Sequence, residues 1–164
     1  MKKRKIIITG DSGRGKSTLA ERLSKELNIK SYSTDDFLWK VKFSEMEDKK
    51  LAEKNIGEVY KENEWIVEGG SIRMLKTGFE SADIIIYLGF SNIIFQFLVL
   101  FKRFLERKHE TLGNFCFQMR HIFYKRYKLG YKKHGALTMI EFLEQYKYKV
   151  IRINSYKEIN NFNL

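Results

Sequence analysis

Four residues near the N-terminus carry the chemistry that the sequence indicates most clearly. Gly10, Gly15, Lys16 and Ser17 fit the spacing G-x-x-x-x-G-K-[ST], which is the P-loop. Glycines let the backbone turn tightly, so that consecutive N–H groups point at a phosphate chain. A lysine at this position reaches the β- and γ-phosphates, and the serine hydroxyl ligates Mg²⁺. The spacing therefore predicts a nucleotide-binding loop.

The residues on both sides of this loop supply the strand and the helix that a P-loop requires. The isoleucines at 6–8 form a β-branched run that is typical of a buried parallel strand. Leu19, Leu23 and Leu27 follow at helical spacing, so that a helix N-terminus points at the phosphates. A chance glycine turn is the alternative, and this context argues against it. The predicted nucleotide-binding residues are Gly10, Asp11, Ser12, Gly13, Arg14, Gly15, Lys16, Ser17 and Thr18.

Three acidic side chains are candidates for handling a metal ion or a phosphoryl acceptor. Asp35 and Asp36 follow a short strand candidate at 31–34, and Glu68 ends the apolar run at 65–67. Ligands bind at the carboxyl ends of strands in open α/β sheets. Asp35 is predicted to orient or deprotonate the acceptor, with Asp36 as the alternative, and Glu68 to position Mg²⁺ through its water. An ordinary helix cap or strand-end charge is the structural alternative for each.

Basic residues later in the chain could cover the transferred phosphoryl group. Arg103 and Arg107 lie one helical turn apart and share a face, so they are predicted to act from a lid-like segment at about 102–134. Solvated positions favoured by the helix C-terminus are the alternative. Residues 124–134 interleave rings and cations as single-strand nucleic-acid binders do, although a helix with solvated lysines is the commoner explanation.

Composition narrows the possible partners without choosing one. The 164 residues contain 31 Lys and Arg against 20 Asp and Glu, and the net charge of +11 favours nucleotides, nucleic acid or an acidic membrane surface. One cysteine, Cys116, cannot form an internal disulfide, which predicts a reducing cytoplasm. Residues 84–101 are apolar enough to suggest a membrane span. Polar interruptions, among them Ser91 and Asn92, favour a buried strand, a turn and a buried helix instead, with no membrane insertion.

The order of elements predicts the fold class. Strand and helix patterns alternate along the chain, which predicts a three-layer α/β fold with a parallel sheet, in a single domain over 1–164. Ser44 with Glu47, and Ser155 with Glu158, predict capping boxes for two helices. Gly78 is predicted to end the short helix that carries Arg73.

Four features in this order resemble the DNA topology modulation proteins (FlaR-like), a family of small adenylate-kinase-like P-loop proteins. The resemblance covers most of the chain and is strongest from 5 to 88. Its features are the P-loop ending in Gly15-Lys16-Ser17-Thr18, Asp35-x-x-x-Trp39, Trp65-Ile66-Val67-Glu68-Gly69, and 82–88 leading into a helix with Lys102-Arg103.

The resemblance implies a P-loop NTPase fold of nucleoside-monophosphate-kinase type. Its five-stranded parallel sheet would have the order 2-3-1-4-5, with helices on both faces and a mobile lid after strand four. The implied activity is transfer of the γ-phosphoryl group of ATP, with Mg²⁺, to a small acceptor such as a nucleoside or nucleotide. A nucleotide-dependent DNA-binding regulator with little turnover is the alternative, and a membrane-surface protein is a third possibility.

Overall fold

The computed structural model describes residues 4–41, 45–106, 111–126 and 137–164, and it contains two compact units. The first unit consists of the described residues up to Ser91 together with Tyr146–Leu164. The second consists of the described residues within Asn92–Gln145. The lid-like segment predicted at 102–134 therefore falls in the second unit and is described in part. A single domain over the whole chain stays a prediction.

A five-stranded parallel sheet forms the centre of the first unit. The strands of the chain are β1 (Lys5–Gly10), β2 (Ser31–Ser33), β3 (Trp39–Val41), β4 (Glu45–Met46), β5 (Trp65–Gly69), β6 (Ile84–Leu88) and β7 (Val150–Ile153). The sheet has the order β2-β5-β1-β6-β7, while β3 and β4 pair separately as an antiparallel hairpin. Counted within the sheet alone, this order is 2-3-1-4-5, and the predicted fold class is confirmed.

Helices connect the strands of the sheet and make up the described part of the second unit. They are α1 (Lys16–Leu27), α2 (Thr34–Leu38), α3 (Lys49–Val59), α4 (Ile72–Ser81), α5 (Ile93–Glu106), α6 (Leu112–Arg126), α7 (Met139–Leu143) and α8 (Tyr156–Asn161), with a 3₁₀ segment at Glu144–Lys149. None of the helices in the described residues is long and apolar enough to cross a membrane.

The central strand, β1, is buried on both faces, as its run of isoleucines predicts. Ile6 and Ile8 face a core cluster that includes Leu19 and Leu23 of α1 and Ile159 of α8. On the opposite face of β5, the Trp65 ring packs edge-to-face on Tyr60 at 5.1 Å between centroids. The Tyr60 hydroxyl donates to the Met74 carbonyl oxygen at 3.0 Å, which links the end of α3 to α4.

The helix ends in the structure correct two of the predictions. Asn28 ends α1 with φ of 55°, and Asn92 Oδ1 accepts the Ile94 N–H at 2.8 Å, as an N-cap does. The capping box predicted at Ser44 and Glu47 does not start α3. Ser44 lies outside the described residues, and the helix begins after Asp48, whose side chain accepts two backbone N–H groups. Gly78 does not end α4 but lies inside it.

The predicted Ser155–Glu158 box is present in part. Ser155 Oγ accepts the Glu158 N–H at 3.1 Å, while the Glu158 carboxylate accepts from the Asn154 N–H at 3.0 Å. The helix α2 and the β3–β4 hairpin had no counterpart among the predicted elements.

Candidate nucleotide site

The loop between β1 and α1 has the backbone geometry that its glycines predict. Gly10, Gly13 and Gly15 have φ of 132°, 83° and 85°, a region that residues with a Cβ rarely occupy. A Cβ at Gly10 would also overlap the backbone of Leu88, the last residue of β6. The loop therefore requires glycine at these positions, and its path is fixed by close contact with the neighbouring strand.

Asp11 anchors the loop to the segment that follows β6. Its N–H donates to the Leu88 carbonyl oxygen at 2.8 Å. Its carboxylate accepts the Phe90 N–H, also at 2.8 Å. The sequence predicted that the Asp11 backbone amide faces the phosphates, but in the structure this N–H is bonded to Leu88. Asp11 therefore anchors the loop through both its amide and its side chain.

The first turn of α1 presents Lys16 and Ser17 beside the glycines. Gly15 is the N-cap and has no side chain with which to accept the first amides of the helix. Such amides, at the positive end of the helix dipole, form a natural anion site. The Lys16 ammonium donates to the Asp11 carbonyl oxygen at 3.0 Å and is only half-buried. The ammonium thus lies against the loop, within reach of an anion in it.

Ser17 and Glu68, the two predicted Mg²⁺ residues, are in contact. The Ser17 hydroxyl donates to Glu68 Oε1 at 3.1 Å. The same oxygen accepts from the Ser33 hydroxyl at 2.7 Å, so β2, β5 and α1 meet at one carboxylate. Glu68 is only 7% exposed, and these two donors offset the cost of burying its charge.

Asp35 lies at the edge of the same group of residues. It is half-buried in the first turn of α2, and its N–H donates to Ser33 Oγ at 3.4 Å. A chain of hydrogen bonds thus runs from Ser17 through Glu68 and Ser33 to the backbone of Asp35. Asp36 is exposed on the same turn.

The two arginines predicted for a lid lie outside the first unit or outside the described residues. Arg103 is an exposed residue near the end of α5, in the second unit. Arg107 lies outside the described residues. Their proposed action on a phosphoryl group stays a prediction.

Three side chains of the site were missed by sequence reasoning: Ser33, Phe90 and Tyr156. The Tyr156 hydroxyl donates to the Gly13 carbonyl oxygen at 3.1 Å, and the Arg14 guanidinium lies over the Phe90 and Tyr156 rings. All three residues end a strand of the sheet or follow one closely. That position was the signal available in the sequence, because ligand sites gather at the carboxyl ends of parallel strands.

This geometry fits a nucleotide with Mg²⁺. The positive-φ glycines and the open helix N-terminus suit a phosphate chain, since such backbone concavities bind anions. A hydroxyl next to a carboxylate suits a cation that prefers oxygen ligands and keeps some of its waters. Ser17 would ligate the metal, and Glu68 would act on its water.

Solved kinase structures share this architecture. The shikimate kinase of Aquifex aeolicus matches with a TM-score of 0.51 at 18% identity, over 94% of this chain and 88% of its own. The shikimate kinase of Bacteroides thetaiotaomicron matches with a TM-score of 0.54 at 16% identity, over 94% of this chain and 91% of its own. A shikimate kinase from Acinetobacter baumannii, in complex with shikimate, matches with a TM-score of 0.53 at 14% identity, over 96% of this chain and 87% of its own. The chain has the fold of the P-loop kinases.

At identities this low, structural similarity establishes the fold but not the substrate. No protein-family model matches the chain, and no curated protein does. The reaction therefore has to be argued from the residues of the site themselves.

Proposed function

We propose that this protein is a P-loop phosphotransferase that binds ATP with Mg²⁺ and transfers the γ-phosphoryl group to a small hydroxyl or phosphate acceptor. The observation that carries the proposal is the contact of Ser17 with the buried Glu68 next to a glycine loop and Lys16. Phosphate binding alone requires the loop and the lysine. A buried carboxylate beside the P-loop serine adds the means to position a metal, which phosphoryl transfer uses.

Each residue has a role in the transfer. The loop amides and Lys16 bind the phosphates, and Thr18 contacts the α-phosphate. Mg²⁺, when bound, would neutralise charge that develops on the phosphoryl oxygens. Asp35 orients the acceptor and takes its proton as the acceptor oxygen bonds to the γ-phosphorus. The bond from that phosphorus to its bridging oxygen breaks at the same time, and ADP leaves.

Arg103 and Arg107 would complete the site by closing over the migrating charge. Their residue type supports this role, because guanidinium groups bind phosphoryl oxygens in a bidentate manner. Membership of the DNA topology modulation family belongs to the same proposal and rests on the motifs in the sequence. The nucleotide-dependent DNA-binding alternative rests on the net charge of +11.

The experiment that tests the function is a screen for ADP formation from ATP with Mg²⁺. Nucleosides, nucleotides and small hydroxylated metabolites, shikimate among them, are supplied one at a time. An acceptor that raises ADP formation well above the rate with water alone, with a phosphorylated product identified by mass spectrometry, is the expected outcome. ATP binding without transfer to any acceptor would favour the regulatory alternative.

Asp35→Asn separates chemistry from binding in the same assay. Since the amide cannot take a proton, we expect turnover to fall roughly a hundredfold or more while ATP affinity stays unchanged. Asp48→Asn is the matched control, because Asn caps a helix as well as Asp does and the Asp48 side chain caps α3. Wild-type turnover in Asp35→Asn would remove the acceptor role from this residue.

A further inference from the structure

Arg14 is a buried cation inside the nucleotide-binding loop. It is 2% exposed and lies between Gly13 and Gly15, both in the positive-φ region. Its guanidinium carbon is 4.5 Å from the ring centroid of Phe90 and 4.4 Å from that of Tyr156. These two rings meet nearly at right angles, with their centroids 6.4 Å apart. The guanidinium therefore packs into an aromatic corner.

The charge of this guanidinium has no anion in contact with it among the described residues. Its Nε is buried without a hydrogen-bond partner there. Glu158 responds to the charge only from a distance. The pKa of Glu158 is lowered mainly by the hydrogen bond from the Asn154 N–H, and Arg14 is the smallest of the causes. The faces of aromatic rings attract a cation but do not neutralise it.

A buried, unneutralised charge is costly for a protein unless something binds to it. Removing an ion from water is compensated only by close partners of opposite charge. Lys16, two residues later, already supplies the ammonium that P-loop chemistry uses. Arg14 adds a second charge that burial and two rings hold in place, in the segment whose amides are predicted to face the phosphates.

We propose that Arg14 is a fixed counter-charge for the phosphates of the bound nucleotide. The proposal rests on the proposed nucleotide binding and gives the Arg14 side chain, in addition to its backbone amide, a part in the affinity. The effect is long-range and electrostatic. A fixed charge that is shielded from water acts strongly on a polyanion, because little solvent screens it. The cation is tolerated in the free protein by its aromatic corner and is offset when the phosphates bind.

A purely structural role predicts the opposite behaviour on substitution. If Arg14 only ties Phe90 and Tyr156 to the loop, its loss lowers the stability of the free protein and leaves nucleotide affinity unchanged. If Arg14 is a counter-charge, replacing it by an apolar side chain of similar length removes a buried ion. Such replacements are often neutral or stabilising. The free protein should then be no less stable, and nucleotide binding should weaken.

The test compares wild type with Arg14→Met, Arg14→Lys and Arg22→Met. Arg22 is the matched control, because its guanidinium donates at 2.7–2.8 Å to the carbonyl oxygens of Ile159, Asn160 and Phe162. The probes are ATP with Mg²⁺ and inorganic tripolyphosphate with Mg²⁺, titrated by calorimetry. The thermal midpoint of each protein is measured without a ligand.

We expect Arg14→Met to lower the affinity for both probes by about tenfold without lowering the thermal midpoint of unfolding. Arg14→Lys, which keeps the charge, should stay within about threefold of wild type. Arg22→Met should lower the midpoint and bind both probes as wild type does. Equal loss for the two probes assigns the effect to the phosphates, since tripolyphosphate has no base or ribose.

Three outcomes would overturn the role of Arg14: unchanged affinity in Arg14→Met, a loss for ATP but not for tripolyphosphate, or an Arg14→Met protein that is destabilised or unfolded. These outcomes are distinct from failure of the proposed function. If wild-type protein binds neither probe, the nucleotide site itself is wrong.

Discussion

Glu68 illustrates how the candidate site depends on hydrogen bonds between neighbouring strands. In the register of the parallel sheet, Ser33 of β2 lies opposite Glu68 of β5. The Ser33 hydroxyl donates to the Glu68 carboxylate at 2.7 Å, a shorter distance than the 3.1 Å from the Ser17 hydroxyl. Ser33 therefore orients the group that is proposed to act on the metal's water.

Ser33→Ala should change the Mg²⁺ dependence of nucleotide binding. Loss of an outer partner of a metal site typically costs about tenfold or more in metal affinity, and we expect the Mg²⁺ concentration for half-maximal ATP binding to rise by roughly tenfold. A Mg²⁺ titration at a fixed ATP concentration measures this half-maximal Mg²⁺ concentration. Ser31→Ala, two residues earlier on the same strand and also half-buried, should behave as wild type. Identical Mg²⁺ curves for Ser33→Ala and wild type would remove the orienting role.

At the scale of single residues, the sequence predicted the residues that belong to a local motif. Gly10, Lys16 and Ser17 lie within eight positions, so their spacing alone indicates a phosphate loop. Tyr156 could not be found in this way, because its partner Gly13 is 143 residues away in the chain. A contact of that kind exists only after the parallel sheet has brought the carboxyl ends of its strands together.

At the scale of the element, Gly78 shows why a glycine did not predict the end of its helix. Glycine often ends a helix by adopting positive φ, but α4 continues through Gly78 to Ser81. A Cβ at position 78 would lie 2.5 Å from Cε1 of Tyr60, a buried ring that packs on Trp65. The glycine is explained by the close approach of that ring and not by a helix end.

Gly78→Ala should therefore destabilise the protein, although alanine favours helices. Overpacking of a buried contact costs about 1–3 kcal/mol of unfolding free energy. Gly57→Ala is the matched control, because Gly57 lies inside α3 with open space around its Cβ position. That change should stabilise by about 0.5–1 kcal/mol. Urea denaturation measures both, and a stabilised Gly78→Ala would contradict the packing explanation.

The shortest elements had no sequence signal strong enough to predict them. The strands β3 and β4 have three and two residues, and α2 has five, so none is long enough to establish a period. The predicted capping box placed the start of α3 too early in the chain. The N-cap of that helix is Asp48, whose side chain accepts the Lys50 and Leu51 N–H groups.

At the scale of the whole molecule, the alternation of strands and helices predicted a parallel sheet but not the order of its strands. The order 2-3-1-4-5 came from the resemblance and agrees with the observed sheet. Substrate and lid action were not predictable in the same way. The fold is shared by kinases at 14–18% identity, so it leaves the acceptor open.

The net charge of +11 makes some affinity for DNA unavoidable at low salt, because a basic surface releases counterions from DNA. For a kinase with incidental charge, we expect measurable DNA binding to be lost by about 200 mM salt, with no effect of ATP. Fluorescence anisotropy of a labelled oligonucleotide across a salt series measures this. Submicromolar affinity that persists at that salt and responds to ATP would favour the DNA-binding alternative.

The most direct test of the central claim is a calorimetric titration of wild type and Lys16→Ala with ATP and Mg²⁺. Lys16 lies at the start of α1 beside the glycine loop and is proposed to contact two phosphates. Loss of such charge-assisted hydrogen bonds should weaken binding by an order of magnitude or more, with the fold unchanged by circular dichroism. Equal ATP affinity in the two proteins would contradict the assignment of this loop as a nucleotide site.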